Sequence, residues 1–152
     1  VKEAGFFRRL GAWVYDVLVV TAVLIAAGAI ALGVVALALK IGLLNMGNYV
    51  DVSHYLNNHP VAAILYPLYL FTVMVGFYAY FWCKAGQTLG MRAWRLHLQN
   101  EDGQRVSLTQ ALVRMATSAF GLGNVTVLID SKNRSLQDHM ASTHVYFDPK
   151  VK

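Results

Sequence analysis

Apolar and polar positions divide the chain into two long apolar stretches and a shorter mixed region behind them. Between residues 12 and 39 only Asp16 is charged, and the run ends at Lys40. As a helix this run is about 42 Å long, more than the hydrocarbon core of a bilayer needs, and it predicts a first span over about residues 10–39. Residues 61–83 carry no charge and predict the second span. Tyr66 and Tyr69 near its start, and Phe77, Tyr78, Tyr80, Phe81 and Trp82 near its end, have the placing of interfacial aromatic belts. Pro67 in its second turn is expected to kink the helix or reset its start. Residues 40–60, polar and turn-rich, form the loop between the spans.

After Lys84 the periodicity changes. Residues 86–90 read as a loop. Trp94, Leu96 and Leu98 then alternate with Arg95, His97 and Gln99, the period of a strand. Glu101-Asp102-Gly103 is a turn signal and Arg105-Val106 a return, so a small β-hairpin is predicted over about residues 92–106. Ser107-Leu-Thr-Gln110 has the pattern of a capping box. It opens a third helical segment, about residues 107–129, with Leu108, Ala111, Leu112, Met115, Ala116 and Ala119 on one face. The break at Gly121-Leu-Gly-Asn124 and the charge of Arg114 argue against a full crossing. A crossing would also put Lys132, Arg134, Lys150 and Lys152 outside. An amphipathic interfacial helix or a re-entrant pair is expected instead. In the C-terminal tail, residues 130–152, residues 143–147 have strand composition and can join the hairpin. The fold class is an all-α membrane protein of one domain: two transmembrane helices, a third helical segment on the cytoplasmic side, and a small β-hairpin.

Composition agrees with this reading. Of 152 residues 57% are hydrophobic and only 14% charged. The net charge of +5 is distributed by topology and does not form a nucleic-acid-binding groove. Lys2, Arg8 and Arg9 precede the first span, nine basic residues follow residue 83, and residues 41–60 have none. By the positive-inside rule both termini are cytoplasmic in a multi-pass inner-membrane protein. The single cysteine, Cys83, excludes an intrachain disulfide. The first apolar run is too long for a signal-peptide core, so it is expected to be an uncleaved anchor. The chain begins with Val1 rather than methionine, so residues are expected to be missing upstream.

Chemistry is sparse. Arg9 and Asp16 are seven apart and share a helix face about 10 Å apart. A carboxylate within a span is a functional-site hypothesis by default. The expected partners of Asp16 are Arg92, Arg95 or Arg114, or the free N–H groups at the start of a re-entrant helix. Small residues four apart (Ala22 and Ala26, Ala27 and Ala31, Ala29 and Gly33) permit close helix packing, within the chain or with another copy. His54 and His59 lack companion ligands and read as solvated loop histidines, so no metal is expected. Ser135, Asp138, His139, Ser142 and His144 cluster in sequence, but without a nucleophile elbow, a metal spacing or a phosphate loop. No enzyme and no cofactor is expected.

Taken together, the motifs resemble the RDD family of bacterial integral membrane proteins, named for one arginine and two aspartates. Arg9, Ala12 and Asp16 resemble its first-helix pattern. Gly86-Gln87-Thr88-Leu89-Gly90, followed by the Asp102-Gly103 turn, resembles the stretch after its second span. Arg134-Ser-Leu-Gln-Asp138-His-Met-Ala-Ser-Thr143 resembles its C-terminal motif. The likeness covers roughly residues 5–147. Met91 stands where the family usually has a basic residue, His139 and Ser142 replace apolar or small residues, and the third segment is shorter and more broken than in many relatives. The resemblance implies membrane residence and a transport role, with cation/proton exchange in some members. It also places the family's second aspartate at Asp138, beside Arg9 and Asp16 as its arginine and first aspartate. Two functions follow. In one, a homo-oligomer or subunit serves transport, with Asp16 a titratable site. In the other, the protein is a non-catalytic scaffold or assembly partner in which Asp16 and Asp138 are ion-pair staples. The partners expected are the bilayer and either a second copy or another membrane protein.

Overall fold

The computed structural model describes residues 2–149, with Ala119 and Phe120 described by backbone alone. The expected roles of Lys150, Lys152 and the Ala119 side chain fall outside this description. The protein is mostly helical, with a small three-stranded antiparallel sheet. Its elements are β1 (Lys2–Glu3), α1 (Phe6–Lys40), α2 (Val52–Asn58), α3 (Ala62–Ala85), α4 (Leu89–Ala93), β2 (Leu96–Asn100), α5 (Leu108–Thr117), a 3-10 stretch (Ala119–Leu128), α6 (Leu136–Met140) and β3 (Thr143–Phe147).

α1 and α3 are both long and apolar enough to cross a membrane. α1 begins four residues before the predicted span, taking in Arg8 and Arg9. α3 runs unbroken through Pro67, which sits early enough to leave most of the ladder intact. Both helices leave large apolar side chains uncovered, among them Leu18, Ile25, Ile30, Ile64 and Phe71. In a soluble protein this would be a liability, but in lipid it is the natural outer face.

The chain forms two compact units, one comprising residues 20–74 and the other the remainder. In the first, the loop is more ordered than the sequence predicts. Asp51 caps α2 by accepting the His54 N–H at 2.7 Å. Tyr55 and Leu56 are buried, and Tyr55 stacks on His59 with ring centroids 4.7 Å apart. His59 Nδ1 accepts the N–H groups of Val61 and Ala62 at the start of α3, and His54 Nδ1 accepts that of Val50. Tyr69 donates its hydroxyl to the Ala27 carbonyl at 3.3 Å.

The second unit holds the sheet, in the order β1-β3-β2. The hairpin predicted over residues 92–106 is not formed. The turn is present, with Asn100 N–H donating to the Gln104 carbonyl, but Arg105-Val106 makes no strand. β2 pairs antiparallel with β3 of the tail, Leu98 opposite Val145, and β1 pairs with the other edge of β3. A two-residue return offers too few ladder bonds to compete with the five-residue partner that the tail supplies. Leu96, Leu98 and Val145 then face Ala4, Ala12, Met91, Val106 and Ala111 in one apolar core. α5 carries the capping box expected of Ser107 and Gln110. The short helices α4 and α6, and the strand β1, were not anticipated from the pattern, because elements of two to five residues carry no readable period.

Candidate functional site

Within the second unit, Arg9 lies in the first turn of α1 and its side chain is buried. Five acceptors surround its guanidinium. Nε donates to the Ala4 carbonyl at 2.8 Å, Nη1 to Asp138 Oδ2 at 2.6 Å and to Ser135 Oγ at 3.3 Å. Nη2 donates to the carbonyls of Asn133 at 3.1 Å and Val145 at 3.4 Å. One side chain therefore holds the turn before α1, the approach to α6 and the middle strand of the sheet. Only a planar fork with five N–H donors can serve so many directions at once.

Asp138 is wholly buried in α6. Ser135 and Asp138 form a reciprocal cap on α6: Asp138 Oδ2 accepts the Ser135 N–H at 3.0 Å and Ser135 Oγ accepts the Asp138 N–H. Asp138 Oδ1 accepts from Arg114 Nη1 at 2.6 Å, and the same nitrogen donates to Thr143 Oγ1. Arg114 also lies over the Trp82 ring, 5.4 Å from its centroid. Glu3 Oε2 stands 4.0 Å from Arg9, so two guanidiniums meet two carboxylates. Burial opposes the ionised form of Asp138, but the Arg114 and Arg9 charges and the Ser135 N–H outweigh it and hold its pKa at about 2.

Asp16, buried two turns further along α1, has different company. Its Oδ2 accepts from the Thr88 hydroxyl at 2.5 Å and its Oδ1 from the Gly90 N–H at 2.8 Å. Thr88 is in turn the N-cap of α4, accepting the Met91 N–H at 3.2 Å. Of the two expected kinds of partner, the arginines are not used, and the N–H at a helix start comes from the short helix α4 rather than from a re-entrant one. Arg114 is taken by Asp138, while Arg92 and Arg95 are exposed and Arg95 reaches the Pro149 carbonyl instead. Among the described residues no ion pair reaches Asp16. Gly90 is what allows α4 this close, since a Cβ there would strike the Ala12 carbonyl and the Asp16 carboxylate.

The arginine at the head of the first helix and the two aspartates thus hold the start of α1 to both short helices of the tail and loop. A family model for the RDD family matches residues 3–142, nearly the whole chain. The chain belongs to the RDD family. No curated protein and no solved structure matches it. In this RDD protein the arginine and the second aspartate meet directly, whereas the first aspartate stands apart on the Gly86–Gly90 stretch.

Sequence reasoning missed Glu3 and the role of Ser135, whereas Arg114 was among the arginines expected at this charge site and is found on Asp138. A signal existed for Ser135, because Ser135-x-x-Asp138 has the same spacing as the capping box recognised at Ser107. The His139, Ser142 and His144 cluster does not converge on one point: His139 Nε2 lies 3.4 Å from Asp130, and His144 lies on β3 near the Tyr146 ring.

Proposed function

We propose that this RDD protein is a non-catalytic module of the bacterial inner membrane, with its sheet on the cytoplasmic side. In this reading Arg9, Asp16 and Asp138 fasten the unit that carries the sheet to the head of the first span, presenting it as an assembly surface. The observation that carries this is saturation. Both oxygens of Asp138 and both of Asp16 accept from protein donors, and every nitrogen of Arg9 donates. Groups so fully engaged fix one arrangement, the best-attested use of buried polar clusters. Basic residues on both sides of the two spans, and none in residues 41–60, support the orientation.

A second reading, transport by a homo-oligomer with Asp16 as its proton or cation site, is favoured by one feature. Asp16 is a carboxylate within a span without a countercharge among the described residues. Reconstitution in liposomes separates the two. Internal pH is followed under imposed Na⁺, K⁺ or Li⁺ gradients for the native protein and for Asp16→Asn. The fastener reading expects no cation-dependent proton flux from folded native protein. Flux that Asp16→Asn abolishes while the protein stays folded overturns it in favour of exchange.

A further inference from the structure

The path of the chain between β2 and β3 constrains how the third helical segment meets the membrane. β3 pairs with β1 on one edge and β2 on the other, so all three strands are on one side of the bilayer. Two spans separate β1 from β2, and an even number of crossings must separate β2 from β3. Between them lie α5, the 3-10 stretch and the short α6, and the apolar pair α5 and 3-10 stretch is bent by 80°. α5 has ten residues, about 15 Å of helix against a core of about 30 Å.

Side-chain contacts set its depth. Arg9 and Arg114 share the Asp138 carboxylate, so Arg114 lies level with the first turn of α1. Beyond the bend, Gly121 lies against the indole of Trp13, so that a Cβ there would strike the ring. Trp13 is four residues past Arg9, about 6 Å further along α1. Gly123 then backs onto Gln137 of α6, and Asn124 accepts the Gln137 amide at 2.9 Å. The chain therefore turns back after about one helical turn of depth. Leu122 and Ile129, 71% and 86% exposed, and Val125 and Leu128 beside them all stand exposed. Their backbone closes on itself: Gly121 and Gly123 N–H donate to the Ser118 carbonyl and Ile129 N–H to that of Thr126. Local bonds of this kind lower the cost of meeting hydrocarbon.

We propose that residues 121–129 form a lipid-docking surface in the headgroup–acyl boundary of the leaflet on the sheet's side. Leu122, Val125, Leu128 and Ile129 lie among the upper acyl carbons. The surface continues the lipid-facing side of α1 at Trp13, and this continuity favours lipid over protein as its occupant. It holds whether or not the fastener reading does.

The unaltered protein, in phosphatidylethanolamine–phosphatidylglycerol vesicles, is photolabelled with lipids carrying a diazirine either near the acyl carbonyl or at the chain terminus. Adducts mapped to residues 121–129 are expected from the first lipid and not from the second. Adducts from the second alone overturn the proposal. In a Cys83→Ala background, Leu122→Cys and Ile129→Cys are then probed with a membrane-impermeant maleimide, with Asp102→Cys as an accessible control. Both are expected to react at least tenfold more slowly than the control. Free reaction from the sheet's side overturns lipid burial, and reaction from the other side shows a full crossing. Protection accompanied by a disulfide cross-link between two copies of the Leu122→Cys variant overturns the lipid occupant in favour of a second copy.

Discussion

Asp138 is the residue on which most of the second unit converges. Replacing it with asparagine leaves Arg9 and Arg114 buried beside one another without their shared carboxylate. Loss of one member of a buried pair typically costs about 3–5 kcal/mol. Asp138→Asn is therefore expected to lower the denaturation midpoint strongly in detergent. Arg9→Lys should cost a similar order, because an ammonium cannot reach acceptors spread over Ala4, Asn133, Ser135, Asp138 and Val145. The same carboxyl sets an acid limit. Its pKa is depressed in the fold, to about 2 from an ordinary value of 3.8. The stability it contributes is present above the ordinary value and is lost as pH falls through the folded one. Thermal midpoints should therefore fall between about pH 4 and pH 2, and Asp138→Asn should lack this part of the titration.

Among the elements, α4 is the most constrained for its size. Its first turn is pinned to α1 through Thr88, Gly90 and Asp16, and Gly90 leaves no room for a methyl group. Since the atoms in the way include the Ala12 backbone, Gly90→Ala is expected to destabilise by about 1–3 kcal/mol, the usual range for overpacking. Gly33→Ala, where nothing lies within 4 Å, should be nearly silent in the same denaturation assay. Removing the α4 cap with Thr88→Ala should cost about 1 kcal/mol or more. A double-mutant cycle with Asp16→Asn should be non-additive, because the two side chains share one hydrogen bond.

At the scale of the whole molecule, β3 is the closing piece. It is the central strand, its Val145 carbonyl accepts from Arg9, and Thr143 accepts from Arg114. A chain ending at Asp130 is expected to retain both apolar spans, whose backbone hydrogen bonds are local. It should lose order in residues 86–106, read as protease cleavage there that the complete chain resists. The length of α1 and α3, the cap of α5 and the strand composition of residues 96–100 and 143–147 were all legible, because each depends on neighbours within a few residues. That the tail strand joins residues 96–100 was open to the same reading, but that it displaces the return at Arg105-Val106 was not, since pairing depends on which strand reaches β2 in space. For Asp16 a helix-start N–H was one of several partners the spacing allowed, and neither the choice among them nor the Thr88 hydroxyl was legible, because both depend on where α4 packs.

What the sequence by itself determined is the membrane character of the chain: two apolar runs long enough to span, one holding a single carboxylate and the other no charge, with basic residues gathered outside them. Burial of apolar side chains in lipid follows from composition and length and needs no knowledge of contacts. The tertiary structure alone decided how the three family residues are divided. Arg9 and Asp138 are 129 positions apart and meet at 2.6 Å, whereas Arg9 and Asp16 share a helix yet bind separate parts of the unit. Spacing along one helix determines which residues share a face. A pair closed across the whole chain exists only once the sheet has brought the tail back to the head of the first span.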